Sequence, residues 1–401
     1  MRRMVILMKL VGLVLVILFP IALAAQERDP SRMKNQSATS AAAQANVSTA
    51  GDEADSAPTA WSADLASDTN TNAPQQANAK PSQTTPPPGQ TRPKIPGSMV
   101  GYIDNAIVAS QIRIRFEAAF HDNFPDRAEF FYSQYAGLSG PGPNSVVADL
   151  NFLQLYLYGE YAPIRRFSFF TQVPVRWIQP QLTVANVNQV SPPFPNVNEA
   201  GLSDVAAGFK LAAVASSNQY LTFQFQAYFP SGSASEGLGT NHYSVEPALL
   251  YYRRLSDRAA LEAQVGDSHP IGGSTCLPCN TTPGTLPKPE GFAGDIFFYG
   301  VGPSYVLYRG ENVWIAPVIE LVGWRVLGGL ETNCISSVTG MPNPCANQVG
   351  VPASGTNIVN AKLGARMAVG AHSSFYIGYG HQLTHAVWYK EIVRAEYRYS
   401  F

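Results

Sequence analysis

Charge is scarce in this chain. Only 14% of its 401 residues are charged, and 27 basic against 28 acidic side chains leave a formal net charge of -1. There is no general basic surface, so nucleic acid is not expected as a partner. Long apolar runs are scarce too. Beyond residue 25 no stretch approaches the roughly 18 apolar residues of a membrane-crossing helix. Cysteine is confined to Cys276, Cys279, Cys334 and Cys345, all in Gly/Pro/Thr/Asn-rich stretches. The first pair has CxxC spacing, but Cys334 and Cys345 are eleven apart, so the second half of a four-thiolate zinc site is missing. In an exported chain an even number favours two local loop disulfides over metal or redox work. Other cofactor signatures are incomplete. Gly300-Val301-Gly302 lacks the rest of a phosphate-binding loop, and Asp257, Asp267 and His269 are not spaced as a metal set. No cofactor and no metal are expected.

What the chain does have is aromatics, at 11%, with 19 Tyr and 20 Phe. Tyr-rich, Lys-poor surfaces suit the aromatic girdles at a membrane–water boundary. Residues 1–25 have the layout of a secretory signal: Arg2, Arg3 and Lys9, then an apolar stretch, then Ala22-Leu23-Ala24 as a small-residue cleavage site. Residues 26–96 are Ala, Ser, Thr, Asn, Gln and Pro with a single aromatic, Trp61. Such a segment cannot bury enough apolar surface to offset chain entropy and is expected to be a disordered linker.

From residue 97 onward the pattern changes. The last fourteen residues alternate: Tyr389, Val393, Ala395, Tyr397, Tyr399 and Phe401 on one parity, Lys390, Arg394, Glu396, Arg398 and Ser400 on the other. Period two means a strand with one apolar and one charged face. A charged face is out of place in a soluble core but suits a barrel strand with lipid outside and water inside. The same alternation recurs eleven more times. Ile112, Ile114 and Phe116 oppose Arg113, Arg115 and Glu117. Leu153, Leu155 and Leu157 oppose Gln154, Tyr156 and Glu160. Phe167, Phe169 and Val173 oppose Ser168, Gln172 and Arg176. Leu221, Phe223 and Phe225 oppose Thr222, Gln224 and Gln226. The expected fold is all-β, a transmembrane antiparallel up-and-down β-barrel of about 12 strands over 97–401. Connections alternate between short and long, as periplasmic turns and outer loops do. An even strand count places both termini in the periplasm, and all four cysteines in outer loops. Pro174, Pro247, Pro303 and Pro317 fall inside strands, where each should cost a ladder hydrogen bond or mark a bulge.

The inward rows carry charge unevenly. Arg113, Arg115, Lys362, Arg366, Lys390, Arg394 and Arg398 lie on strands one, ten and twelve and form a basic wall. Glu160, Asp204, Glu246, Glu262 and Glu320 lie on strands two, four, six, seven and nine. This sets a transverse field across the lumen. Two readings stand side by side: a selective pore, or an interior plugged and held by cross-strand salt bridges. In a pore, Arg394→Glu shifts anion preference. Residues 102–109, just before strand one, are the candidate plug.

Two motifs carry a resemblance. Gly201-Leu202-Ser203-Asp204-Val205-Ala206-Ala207-Gly208-Phe209-Lys210 is similar to the GLGD…G.K strand of the "MetA-pathway of phenol degradation" outer-membrane transporters, and Tyr228-Phe229-Pro230-Ser231-Gly232 to that family's next strand end, with Ser231 in place of Thr. The resemblance spans roughly 152–401. It implies movement of hydrophobic or aromatic compounds across the outer membrane, and no substrate residue carries over. The terminal Tyr397, Tyr399 and Phe401 resemble the C-terminal signal that barrel-insertion machinery reads.

The expectation is therefore a non-enzymatic outer-membrane channel for passive passage of small molecules, with lipid, assembly machinery and solute as partners. The alternative is a structural or surface-interaction barrel whose disulfide-stapled loops do the work. An outer-membrane phospholipase needs a His-x-Ser pair facing lipid. His242-Tyr243-Ser244 has the spacing, but its parity puts both side chains in the lumen.

Overall fold

The computed structural model describes residues 97–184, 198–276, 279, 290–335 and 347–401. The expected signal and linker, residues 1–96, lie outside the described residues, as does Cys345. Twelve strands carry the fold: β1 Gln111–Asp122, β2 Val146–Ile164, β3 Phe167–Val184, β4 Val205–Ala215, β5 Gln219–Phe229 and β6 Tyr243–Arg254 make the first half. The second half is β7 Ala259–Ile271, β8 Ile296–Tyr305, β9 Val313–Val326, β10 Asn357–Val369, β11 Ser373–Gln382 and β12 Glu391–Ser400. Each pairs antiparallel with its sequence neighbour, and β12 returns to β1 from Gln111↔Ser400 to Phe120↔Glu391. The sheet is a closed 12-strand barrel with no free edge.

The barrel is inside out relative to a water-soluble protein. Leu363 is 62% exposed on the outer face while its neighbour Lys362 is 3% exposed within. Ile112, Leu157, Phe169, Leu211, Leu249 and Ile319 are also exposed, and Gln154, Glu160, Lys210, Thr222, Gln224 and Asn360 are buried. An apolar band of this extent around a closed ladder has lipid as its only compatible solvent. One rim has tight connections at 165–166, 216–218, 255–258 and 370–372, and the other carries the long loops.

Pro174 marks a bulge: on one side the register changes by one residue around it, from Gln172↔Ala206 to Val175↔Leu202, while on the other it faces Tyr156 in register. Pro247 faces Phe225, Pro303 faces Leu261 and Pro317 faces Ala365 without a shift. Each of these three costs only the N–H it lacks. Further shifts lie between Ala119 and Asp122, Tyr161 and Ile164, and Ala212 and Val214.

The long-loop rim is built over. The β1–β2 loop makes two short 3-10 turns, Arg127–Glu129 and Ala136–Leu138, and lies across the mouth. Ala128 and Tyr132 join a core cluster with Leu238, Ile296, Val326, Ile358 and Trp388. Arg127 Nε reaches Glu331 Oε2 at 2.5 Å, and Arg127 Nη1 donates to the Val387 carbonyl at 3.1 Å. Thr332 donates its N–H and hydroxyl to the buried Asp126 carboxylate. Glu331 and Thr332 belong to a hairpin, Leu330–Ile335 with Asn347–Pro352, inside what the sequence suggested was one long loop. Cys276 and Cys279 are disulfide-bonded beneath it, among Tyr135, Leu138, Phe292 and Leu330. Cys334 sits on the hairpin.

The terminal strand is shorter than the alternation suggested. It begins at Glu391, and residues 383–390 are irregular. The bend breaks the parity. Tyr389, assigned to the lipid row, turns inward and accepts a 2.5 Å hydrogen bond from Lys362 Nζ. Lys390 is exposed at the rim and stands apart from the buried basic residues.

Candidate functional site

Residues 97–110 run inside the barrel. Met99, Val100, Ile103, Ala106 and Val108 are buried there. The segment has no regular secondary structure, so its backbone groups need partners from the wall. Carboxylates take the amides. Glu262 Oε1 accepts from Met99 N at 3.0 Å, Glu320 Oε2 from Gly101 N at 3.1 Å, and Glu320 Oε1 from Tyr102 N and Ile103 N at 2.8 Å each. Gln264 Oε1 accepts from Asp104 N at 2.7 Å. Cations take the carbonyls. Arg398 donates to Ser98 O at 3.0 Å, Arg366 to Met99 O at 3.1 Å and Val100 O at 2.8 Å, Arg394 to Gly101 O, and Lys210 to Asn105 O at 3.0 Å. Thr222 Oγ1 donates to Ala106 O at 2.6 Å. The segment is a plug.

Plug and wall approach each other at glycines on both sides. A Cβ on Gly101 would lie 2.1 Å from the Tyr376 ring, and one on Gly302 2.9 Å from Val100. Tyr102 packs edge-on to Tyr376 at 6.1 Å, with Lys362 Nζ 3.7 Å and Arg394 Cζ 3.9 Å from its ring centroid.

The remaining sequence-selected charges divide by partner. Glu117 pairs with Arg394 at 2.5 Å and Arg115 at 3.4 Å. Glu396 binds Arg366 at 2.9 Å and Arg398 at 3.1 Å. Arg113 stacks on Tyr158 at 3.6 Å, and Arg115 on Tyr156 at 4.2 Å. Glu160 is saturated by Gln111, Tyr158, Ser168 and Lys210. Glu246 accepts from the Tyr228 hydroxyl at 3.4 Å. Asp204 lies just before β4 and ties down the loop at 230–240: Oδ1 accepts from Gly232 N at 3.0 Å, Oδ2 from Thr240 N and Oγ1 at 2.8 Å each. Ser231 Oγ donates to Ser203 O and accepts from Val205 N. The two motif segments are therefore one hydrogen-bonded unit.

Beneath the β1–β2 loop, against the barrel wall, lies a cavity of about 150 Å³. Phe130 and Phe131 cover it. Tyr156, Tyr228 and Pro174 give it apolar walls, and Gln154, Gln172, Arg176, Asp204 and Ser244 supply polar groups. Arg176 is the cation among these lining residues. It donates from Nη1 to Phe131 O at 2.9 Å and lies 3.8 Å over the Phe131 ring.

Sequence reasoning placed Tyr156, Gln172 and Arg176 on inward rows but did not gather them into a site. Phe130 and Phe131 come from a loop with no period to read. His242 is buried with Nδ1 3.0 Å from Thr240 O, Ser244 faces the cavity and Tyr243 faces out. Asp267 and His269 meet Asp295, which lies just before β8, their ligand atoms within 4.8 Å of one another at the long-loop rim, and Asp257 pairs with Arg254 instead. That grouping needed the cross-strand register, which spacing does not give.

The sequence pattern of the "MetA-pathway of phenol degradation" family matches residues 141–266, which include both motif segments. The chain is a membrane β-barrel that resembles this family. No curated protein matches it. Among solved structures, the COG4313 outer membrane channel from Pseudomonas putida F1 is similar at 14% identity, covering 73% of this chain and 96% of that one, with a TM-score of 0.41. The Pseudomonas putida toluene transporter TodX is similar at 10% identity over 73% and 89%, TM-score 0.34. The NanC porin is similar at 6% identity over 73% and 99%, TM-score 0.35.

Proposed function

We propose that the barrel is a passive outer-membrane passage for small hydrophobic or aromatic molecules, with the plug as its gate. The observation that carries this is the aromatic-walled cavity between the covering loop and the barrel wall. Its volume, about 150 Å³, is the size that admits a single benzene ring in an apolar protein interior. A lumen gripped along the whole plug leaves no wide aqueous path, which favours compact solutes over general diffusion. The same reading includes export by residues 1–25, a linker at 26–96, and insertion by assembly machinery that reads Tyr397, Tyr399 and Phe401. The Arg and Glu rows then hold the gate rather than filter ions.

The alternative, a display barrel with stapled loops, is less well supported. The β1–β2 loop, the strand pair Leu330–Ile335 with Asn347–Pro352, and the Cys276–Cys279 disulfide pack on one another over the mouth. Such packing builds a cover, not a set of free arms. The test is uptake of labelled small aromatics by lipopolysaccharide-containing vesicles with and without the protein. Faster uptake with the protein is expected. Equal rates sink the proposal.

A further inference from the structure

Arg176 is buried, at 7% exposure, in the wall of the aromatic cavity. Its Nε has no hydrogen-bond partner, and among the described residues it makes no ion pair. The Ser203 hydroxyl, at 1% exposure and also lining the cavity, is likewise without a partner. A guanidinium out of water with a free edge is costly unless an anion or acceptor completes it. The carboxylate that shares the cavity does not do so. Asp204 spends both oxygens on Gly232 and Thr240. The other faces of Arg176 are fixed: one Nη on the Phe131 carbonyl, the plane on the Phe131 ring.

We propose that this cavity is a binding site for a monocyclic aromatic carboxylate, with Arg176 as the anchor of its carboxylate and Phe130, Phe131, Tyr156 and Tyr228 as the walls around its ring. The proposal deepens the passage reading and rests on it for the route in. It adds a requirement that apolar walls alone would not impose, an acidic substituent on the ring. Arginine matches a planar carboxylate with two parallel hydrogen bonds, and in a water-poor site such charge-assisted bonds are strong. The ring then occupies the space between the loop phenylalanines and the two strand tyrosines. Ser203 supplies one more donor.

The test is calorimetric titration of the purified full-length protein in detergent with benzoate, phenol and toluene, repeated with Arg176→Gln and Arg176→Lys. The wild type should bind benzoate more tightly than toluene or phenol. Arg176→Gln should weaken benzoate by about tenfold or more, the loss expected for a buried charged hydrogen bond, and leave toluene within about twofold. Arg176→Lys, which keeps the charge but not the fork, should fall between. If the wild type binds toluene as well as benzoate, or if Arg176→Gln binds benzoate unchanged, the proposal is overturned. The wild-type comparison decides the matter even where a variant fails to fold. A barrel that speeds aromatic uptake without preferring benzoate loses this inference and keeps the passage. One that binds benzoate but speeds no uptake loses the passage and keeps the site.

Discussion

Arg366 uses nearly all of its donors in one place. Nε and Nη2 hold the Met99 and Val100 carbonyls, Nη1 the Ser374 hydroxyl at 3.2 Å, and Nη2 also the Glu396 carboxylate. A lysine has one nitrogen and cannot span these partners. Asp126 shows a different sensitivity. Burial pushes its carboxyl from 3.8 up to about 7, against the lowering effect of its bonds from Thr332. The folded state therefore keeps a proton that the unfolded chain releases above about pH 4. Stability from this group is greatest below that pH, declines as pH rises toward 7 and is flat beyond. The difference is up to about 4 kcal/mol between the two limits. Protection factors of the β1–β2 loop amides, taken relative to their intrinsic exchange at each pH, should be lower at pH 8 than at pH 5, and Asp126→Asn should flatten that difference. An unchanged pH profile in the variant rules out Asp126 as the source. The sequence suggested that Arg394→Glu would retune anion preference, but the side chain is occupied by Gly101 O and Glu117, so the reversal should instead loosen the plug.

Among elements, the plug and the covering loop hold the most non-local information. Alternation announced all twelve strands and the rows of Arg, Lys and Glu, because period two is a local property that sheet geometry enforces. It could not announce their partners. Glu320 meets Gly101, Tyr102 and Ile103 more than two hundred residues away in sequence, and nothing in either segment marks the match. Tyr389 was misread for a related reason: parity holds only while the chain stays extended, and 383–390 does not. Glu320→Gln keeps the shape but weakens its three charge-assisted bonds to the plug, each worth about 1.5–3 kcal/mol, and the one from the Tyr376 hydroxyl. Planar-bilayer recordings should then show conductance steps that are rarer in the wild type, and identical traces would mean that the plug is held without Glu320. Gly101→Val would drive two more carbons into Tyr376, where even a Cβ comes within 2.1 Å. It should displace residues 98–103 and expose them to protease in refolded barrels, with no change in strand content by circular dichroism.

At the scale of the whole molecule, lipid outside and charge inside make neighbouring positions opposites. Leu363 pairs with Ile319 and Tyr379 on the apolar face. Leu363→Arg should cost about 2–4 kcal/mol in urea titrations of the barrel folded into bilayers, the range for a cation on a lipid-facing strand centre. A variant as stable as the wild type would place that face away from lipid.

The plug also bears on how the barrel is made. Its ligands come from Lys210 on β4 through Arg398 on β12, so no part of the ladder can complete its grip before nearly all strands are present. A cylinder that closed without its own N-terminal segment would enclose Glu262 and Glu320 with no amides to solvate them, and Arg366 with no carbonyls. Contacts of such sequence separation form late and slowly. The thread therefore has to be in place as the first and last strands meet, and the finished wall records that order of assembly in its charges.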